Sequence, residues 1–309
     1  MSQTTEPQTI PAARRWVIDR ASLYILGASL ALATMGSMTH AVGPRCDWLV
    51  VSLVRAVMMF ATAATLTRSA GSALVVWRPR SLWVRSLAGS CSLVCNFYAL
   101  TRLPVADAIT LFSIQPLWIV LISAVFLRRN PRPAEWIGVS LGLAGVVLIE
   151  RPHLSGDRLA ALVAMLSSVS SAVAMLGLHR LRHLDSRAVV AHFAGVASLV
   201  SLGWLAVRGQ PLSPALGEPS TWVYLLGIGA TGTLGQILLT RAYAVGSPAK
   251  VAIAGLSQVV FAMAYDVALW GRSIDPTTFA GFALVLAPTT WLSLRSARMT
   301  PPRPSDAEG

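Results

Sequence analysis

Residues 93–141 read LVCNFYALTRLPVADAITLFSIQPLWIVLISAVFLRRNPRPAEWIGVSL, and residues 238–284 read LLTRAYAVGSPAKVAIAGLSQVVFAMAYDVALWGRSIDPTTFAGFAL. Leu93, Tyr98 and Ala99 of the first stretch correspond to Leu238, Tyr243 and Ala244 of the second, and Pro104 corresponds to Pro248. Further on, Gln115, Arg129, Pro133, Gly138 and Leu141 correspond to Gln258, Arg272, Pro276, Gly281 and Leu284. The spacing contracts by one residue twice along the way, which slips in loops or bulges absorb. A chain that repeats itself over so long a stretch is built from two copies of one unit, and the surrounding hydropathy says what that unit is.

The chain has 309 residues, 54% of them hydrophobic and only 12% charged, about half the charge of a soluble domain. Crossing a bilayer takes about 20 apolar residues. Ten runs meet or approach that length: 21–43, 48–66, 83–99, 106–127, 134–150, 158–179, 188–207, 221–243, 249–270 and 276–294. Gly and Pro punctuate the breaks, as at Gly43-Pro44, Asn130 to Pro133 and Asp275-Pro276. The first run is too long for the apolar core of a signal peptide and is read as a retained span. The predicted fold is therefore an all-α polytopic membrane protein of ten transmembrane helices. Polar tails at 1–20 and 298–309 flank two five-helix repeats, 21–150 and 151–297. An odd number of spans per repeat makes the second copy enter the membrane upside down, the inverted arrangement of many secondary transporters.

The cations orient the chain. Of 25 Lys and Arg, 24 are Arg and the other is Lys250, and they are spread along the sequence. Eighteen fall on the side of the termini and six on the opposite side, with Arg55 alone taken as lying inside a span; Arg85, at the edge of the third run, counts with its loop. Positive loops face the cytoplasm, so both termini are predicted there, in a multi-pass protein of the plasma (inner) membrane. Dispersed Arg at span ends gives a net charge of +12 without a basic face, which excludes nucleic acid as a partner.

The motifs that would signal an enzyme dissolve on inspection. Gly227 to Gly232 spells GxGxxG inside an apolar run, where a dinucleotide fingerprint has no strand before it and small residues serve close helix packing. No HExxH, GxSxG or P-loop occurs. Cys91 and Cys95 sit one helical turn apart with no further ligands nearby, so neither a metal nor a cofactor is expected. The rivals to a carrier are a membrane-embedded enzyme, which needs a nucleophile or metal constellation, and a non-transporting membrane scaffold, which needs no charges inside its spans.

Polar residues within the spans mark the candidate cavity. Arg55 lies roughly 12 Å, and Asp266 about 9 Å, from the same boundary by the helical rise. These are opposite charges at similar depth, each costing about 2.5–3.5 kcal/mol on insertion scales if left alone. Either could face the other, a charged group of the substrate or a coupling proton. Gln115 and Gln258 occupy repeat-equivalent sites and converge on one pseudo-symmetric position. Asn96, Gln236, Tyr243 and the Ser168 and Ser171 hydroxyls complete the candidate substrate-binding set. Asp107 is expected to pair with Arg102 at a span end.

At these residues the chain resembles a known family. NFYALTRLPVADAITLFSIQPLWIVLISAVFL followed by AEWIGVSLGLAGVVL is similar to the first repeat of the drug/metabolite transporter (DMT) superfamily, EamA type. GQILLTRAYAVGSPAKVAIAGLSQVVFAMAYDVALW followed by FAGFALVLA is similar to its second. The resemblance implies a ten-helix carrier, more often an exporter, of small organic metabolites, with a coupling proton or ion and a homodimer as further partners it leaves open. The family's Gly-Glu pair after the fourth and ninth spans is replaced here by Arg128-Arg129 and Gly271-Arg272, and its ninth-span Pro by Ser257-Gln258.

Overall fold

The computed structural model describes residues 19–100, 102–103, 105–125, 128, 130–153, 157–209 and 214–297. Most of both tails, Pro104 and Arg129 lie outside the described residues. The described residues form helices and turns without strands.

The helices begin where the sequence supplies a cap. In the first half, α1 (Arg20–Val42) and α2 (Trp48–Ser69) start at Asp19 and Asp47. These carboxylates accept from the amides of Ser22 at 2.6 Å and Leu49 at 2.8 Å. In the second half, α7 (Arg158–Arg180) and α8 (Ser186–Arg208) start in the same way at Asp157 and Asp185, on the amides of Leu159 and Arg187. Carboxylate capping of a first turn is worth about 1 kcal/mol and complements the helix dipole. Proline does this work elsewhere: Pro133 opens α6 (Pro133–Glu150) and Pro276 opens α12 (Pro276–Ala297), while Pro219 opens α9 (Pro219–Val245). Proline at the first helical position removes an amide that would have no partner anyway. Matching caps at matching places carry the repeat back to the first helix of each half.

The remaining elements are α3 (Arg80–Leu100) and two interrupted pairs, α4 (Val105–Phe112) with α5 (Gln115–Val125), and α10 (Pro248–Gly255) with α11 (Ser257–Trp270). The interruptions at Ser113-Ile114 and at Leu256 are repeat-equivalent. The matched glutamines follow closely, Gln115 directly after the first and Gln258 with one residue between it and the second. Eight helical segments, with each interrupted pair taken together, are long and apolar enough to cross a membrane. Two further helices of similar length, α3 (21 residues) and α12 (22 residues), pack beside them.

Packing obeys the repeat. α1 runs along α9, and its counterpart α7 runs along α3. α2 lies on α9 as α8 lies on α3. α1 also touches the α10–α11 pair as α7 touches α4–α5, while α2 with α8 and α6 with α12 pack as equivalent partners. Exchanging the halves maps each of these contacts onto another or onto itself. At the α6–α12 crossing the backbones meet through Gly145 and Gly281. A Cβ on Gly145 would lie 2.7 Å from the Gly281 carbonyl oxygen, and one on Gly281 2.8 Å from the Gly145 carbonyl oxygen. Small residues that admit such approach are how membrane helices gain contact without a hydrophobic driving force.

Candidate functional site

The side chains that meet between the halves converge on α9. Gly232 and Gln236 are one turn apart on that helix, about 6 Å along its axis. Arg55 arrives at the first from α2: a Cβ on Gly232 would stand 3.2 Å from Arg55 Nε and 3.0 Å from Met35 Sδ. Arg85 arrives at the second from α3, its Nη2 donating to Gln236 Oε1 at 3.3 Å. Gln236 is itself 9% exposed. α3 and α9 are the third helices of their respective halves, so the Arg85–Gln236 bond joins repeat-equivalent elements.

Arg85 belongs to the helix and not to its preceding loop, where the charge count put it. It is 1% exposed, among the most deeply buried large side chains of the protein. Its guanidinium lies 3.9 Å from the ring centroid of Phe193. Two glycines make its room: a Cβ on Gly89 would fall 2.6 Å from Arg85 Nη1, and one on Gly177 3.1 Å from Arg85 Cβ. Phe193 follows the Asp185 cap by as many residues as Arg55 follows the Asp47 cap, so the repeat places a cation at a site in one half and an aromatic ring at its equivalent in the other. Beside Arg85, Ser86 bonds His192 Nδ1 at 2.8 Å and His192 Nε2 lies 3.1 Å from the Val76 carbonyl. A carbonyl only accepts, so Nε2 carries the proton and Nδ1 accepts from Ser86. Trp83 packs edge-on to the same imidazole at 4.8 Å.

The charges of the two arginines are not answered by acids. Arg102–Asp157, Arg151–Asp275, Arg187–Asp185 and the pairs of Arg272 with Asp266 and Glu150 are ion pairs, and none of them includes Arg55 or Arg85. Arg55 Nε, Arg85 Nε and Arg85 Nη1 are buried without a hydrogen-bond partner. A buried charge stripped of its partner costs about 3–5 kcal/mol, whereas stacking on one aromatic face returns about 0.5–2 kcal/mol. Phe193 and one bond to Gln236 thus leave Arg85 under-compensated.

The other expected residues fall into three groups. Asn96 Oδ1 is buried and unpartnered on α3, and half-buried Gln115 and exposed Gln258 flank the two interruptions. Ser168 and Tyr243 lie in packed surroundings. Ser168 accepts from Trp118 Nε1 at 3.0 Å and donates to the Met165 carbonyl at 2.8 Å, and Tyr243, 2% exposed, is embedded in the largest apolar cluster. Ser171 lies half-buried one turn from Ser168. Asp266 does not meet Arg55. It pairs with Arg272 at 3.2 Å with its side chain 41% exposed. Arg272 also donates to the Ile149 carbonyl at 3.0 Å and approaches Glu150 at 3.9 Å, which ties the end of α6 to the α11–α12 turn. Asp107 likewise does not take Arg102. It accepts from the His153 amide at 2.8 Å, while Arg102 goes to Asp157 at 3.4 Å.

Sequence reasoning missed Arg85, Phe193 and His192. The one signal was that Arg85 falls just inside an apolar run with a glycine four residues on, which is the spacing that lets a long side chain lie along its own helix. Among the described residues, no group of three or more His, Cys, Asp or Glu side chains could hold a metal ion.

Comparison with known proteins agrees with this architecture. The sequence profile of the EamA-like transporter family matches residues 19–151 and again 158–294. The pseudopaline exporter CntI of Pseudomonas aeruginosa is 33% identical over 231 residues, covering 74% of this chain and 80% of its own. An uncharacterized transporter of Helicobacter pylori is 28% identical over 213 residues, covering 67% and 71%. Human solute carrier family 35 member G1 is 23% identical over 228 residues, covering 69% and 62%. A solved crystal structure superposes with a TM-score of 0.78 over 91% of this chain and 99% of its own, at 20% identity, and so shares the fold. Family matches over both halves and a fold built twice from one unit lead to the same conclusion: this multi-pass membrane protein belongs to the EamA-like transporter family.

Proposed function

We propose that this chain is a secondary transporter that exports a small organic metabolite across the plasma (inner) membrane by alternating access. In this reading all ten helical segments span the bilayer, α3 and α12 included, with both termini in the cytoplasm. Residues 21–150 and 151–297 are the inverted halves, and the solute sits between them against Arg55, Asn96, Gln115, Gln236 and Gln258. Ser168, Ser171 and Tyr243 support the wall from behind, and the Asp266–Arg272–Glu150 cluster closes the outer end. No ATP is consumed, and a proton or another ion can supply the driving force.

The observation that carries the proposal is the meeting of both halves at buried polar groups on α9, beside helices interrupted at repeat-equivalent points. Interrupted spans at the repeat interface are where secondary transporters hold their solutes. A membrane scaffold gains nothing from unpaired charges there. The name of the pseudopaline exporter supports the outward direction. An untargeted mass-spectrometric comparison of cells with and without the protein tests it. At least one metabolite should be depleted from the medium and retained inside when the protein is absent. Identical profiles on both sides of the membrane would refute the reading.

A further inference from the structure

We infer that the solute is a small organic anion carrying carboxylate or phosphate oxygens, and that Arg55 and Arg85 bind it together against α9. The inference deepens the transporter reading and rests on it.

Its basis is a charge imbalance built into the middle of the bundle. Arg85 is 1% exposed and keeps Nε and Nη1 without partners, although Gly89 and Gly177 have been spent on making room for it. Arg55, one turn along α9, keeps a buried Nε without a partner. The ion pairs of Arg102, Arg151, Arg187 and Arg272 leave Arg55 and Arg85 out. Carboxylates of the described residues are engaged elsewhere, at helix caps, at the His153 amide (Asp107) and at the Arg272 cluster. Two guanidinium groups without a carboxylate make a cationic lining that a cationic solute would not enter. A neutral solute would leave both charges uncompensated. An anion supplies what is missing, because guanidinium nitrogens donate in a planar fork that matches the oxygens of carboxylate and phosphate. The separation of the two contact points along α9, about 6 Å, suits a solute with more than one oxygen-bearing group. The flanking Phe193 ring, Met35 and Gln236 provide the apolar and neutral surface that an organic body needs.

The test uses the full-length protein in proteoliposomes. A uniformly 13C-labelled cell extract is separated by ion exchange at neutral pH into anionic, cationic and neutral fractions. Each is offered to vesicles preloaded with unlabelled extract, and the labelled contents are read by mass spectrometry, which also separates carboxylates from phosphates. Accumulation above protein-free vesicles should come from the anionic fraction alone. Arg55→Gln and Arg85→Gln should each lower it at least about tenfold, the worth of one charge-assisted hydrogen bond, with Arg55→Lys less affected. Accumulation confined to the cationic or neutral fraction overturns the inference and leaves the transporter reading intact. A parallel measurement takes the melting temperature of the detergent-purified wild-type protein with each fraction. If nothing is transported but the anionic fraction alone stabilises the protein, the anion site stands and the transporter reading falls. If the anionic fraction neither enters nor stabilises, the anion site is refuted whatever the arginine variants do.

Discussion

Replacing Gly145 with alanine probes the α6–α12 crossing on which the two halves meet. The new methyl would sit 2.7 Å from the Gly281 carbonyl oxygen, 2.8 Å from Val285 Cγ2 and 3.0 Å from Leu284 Cβ, all on α12. Carbon contacts are comfortable at about 3.5–4.0 Å, so the helices must separate by roughly 0.5–1 Å. Two of the three obstacles are backbone oxygen and a Cβ, which no rotamer change can move aside. Overpacking of this kind costs about 1–3 kcal/mol. At about 2 °C per kcal/mol for a chain of this size, the melting temperature of the detergent-purified protein should fall by about 2–6 °C. Gly281→Ala should behave alike, since its Cβ would meet Ile149 Cγ1 at 2.7 Å and the Gly145 carbonyl at 2.8 Å. The double variant should cost less than the two single costs together, because helices already separated by one methyl accept the second more cheaply. Gly36→Ala is the internal control: nothing lies within 4 Å of its Cβ, and the substitution should be neutral or gain a few tenths of a kcal/mol in helix propensity. Wild-type melting in Gly145→Ala, or strict additivity in the double variant, would refute a close backbone crossing here.

Other expectations concern residues away from that crossing. Gln115→Leu and Gln258→Leu should each lower transport several-fold with folded yield unchanged, as measured by fluorescence size-exclusion; equal loss of folded protein would make them packing residues. Asp266→Asn removes a pair that is 41% exposed and should cost under about 1 kcal/mol, whereas Arg272→Gln also strips Glu150, 7% exposed, and should lower the melting temperature more; a reversed order would contradict the ion-pair geometry. Asp185 is held down to about 2 from its ordinary 3.8, first by the Arg187 side-chain bond, against a smaller upward push from burial and with help from the Arg187 amide and Ser72. A depressed carboxyl stabilises the folded state above its unfolded value and loses that contribution as pH falls through the folded one. The melting-temperature gap between wild type and Asp185→Asn should therefore be constant above about pH 4 and close toward pH 2; a gap that widens on acidification would reverse the assignment.

The repeat was legible because its anchors are Gly, Pro and polar residues, whose positions are fixed by backbone geometry: Pro133 with Pro276 and Gln115 with Gln258 mark the same turns in both halves. The Asp caps at 19, 47, 157 and 185 extend the same match to elements whose apolar sequences have drifted apart. What could not be read was who meets whom across the bundle. Depth put Arg55 and Asp266 at one level and left open whether they meet, because depth leaves the angle around the helix unspecified; Arg272, six residues on, is the partner that reaches Asp266. Arg85 looked like a boundary cation because a charge near the end of an apolar run ordinarily snorkels to the interface. The structure turns it inward, in space that two glycines from different helices open together. Cooperation between α3 and α7 of that kind leaves no trace in local composition.

Counterflow in proteoliposomes tests most directly whether this protein is a carrier. Vesicles holding a high concentration of the metabolite identified in the cell comparison are diluted into a trace of the same compound carrying an isotopic label, without ATP and without an ion gradient. An alternating-access carrier must exchange the two, so the label should rise transiently above its equilibrium level inside the vesicles and then decline, and Arg85→Gln should abolish the overshoot. Label that enters only to equilibrium, or that enters no faster than into protein-free vesicles, would contradict the account.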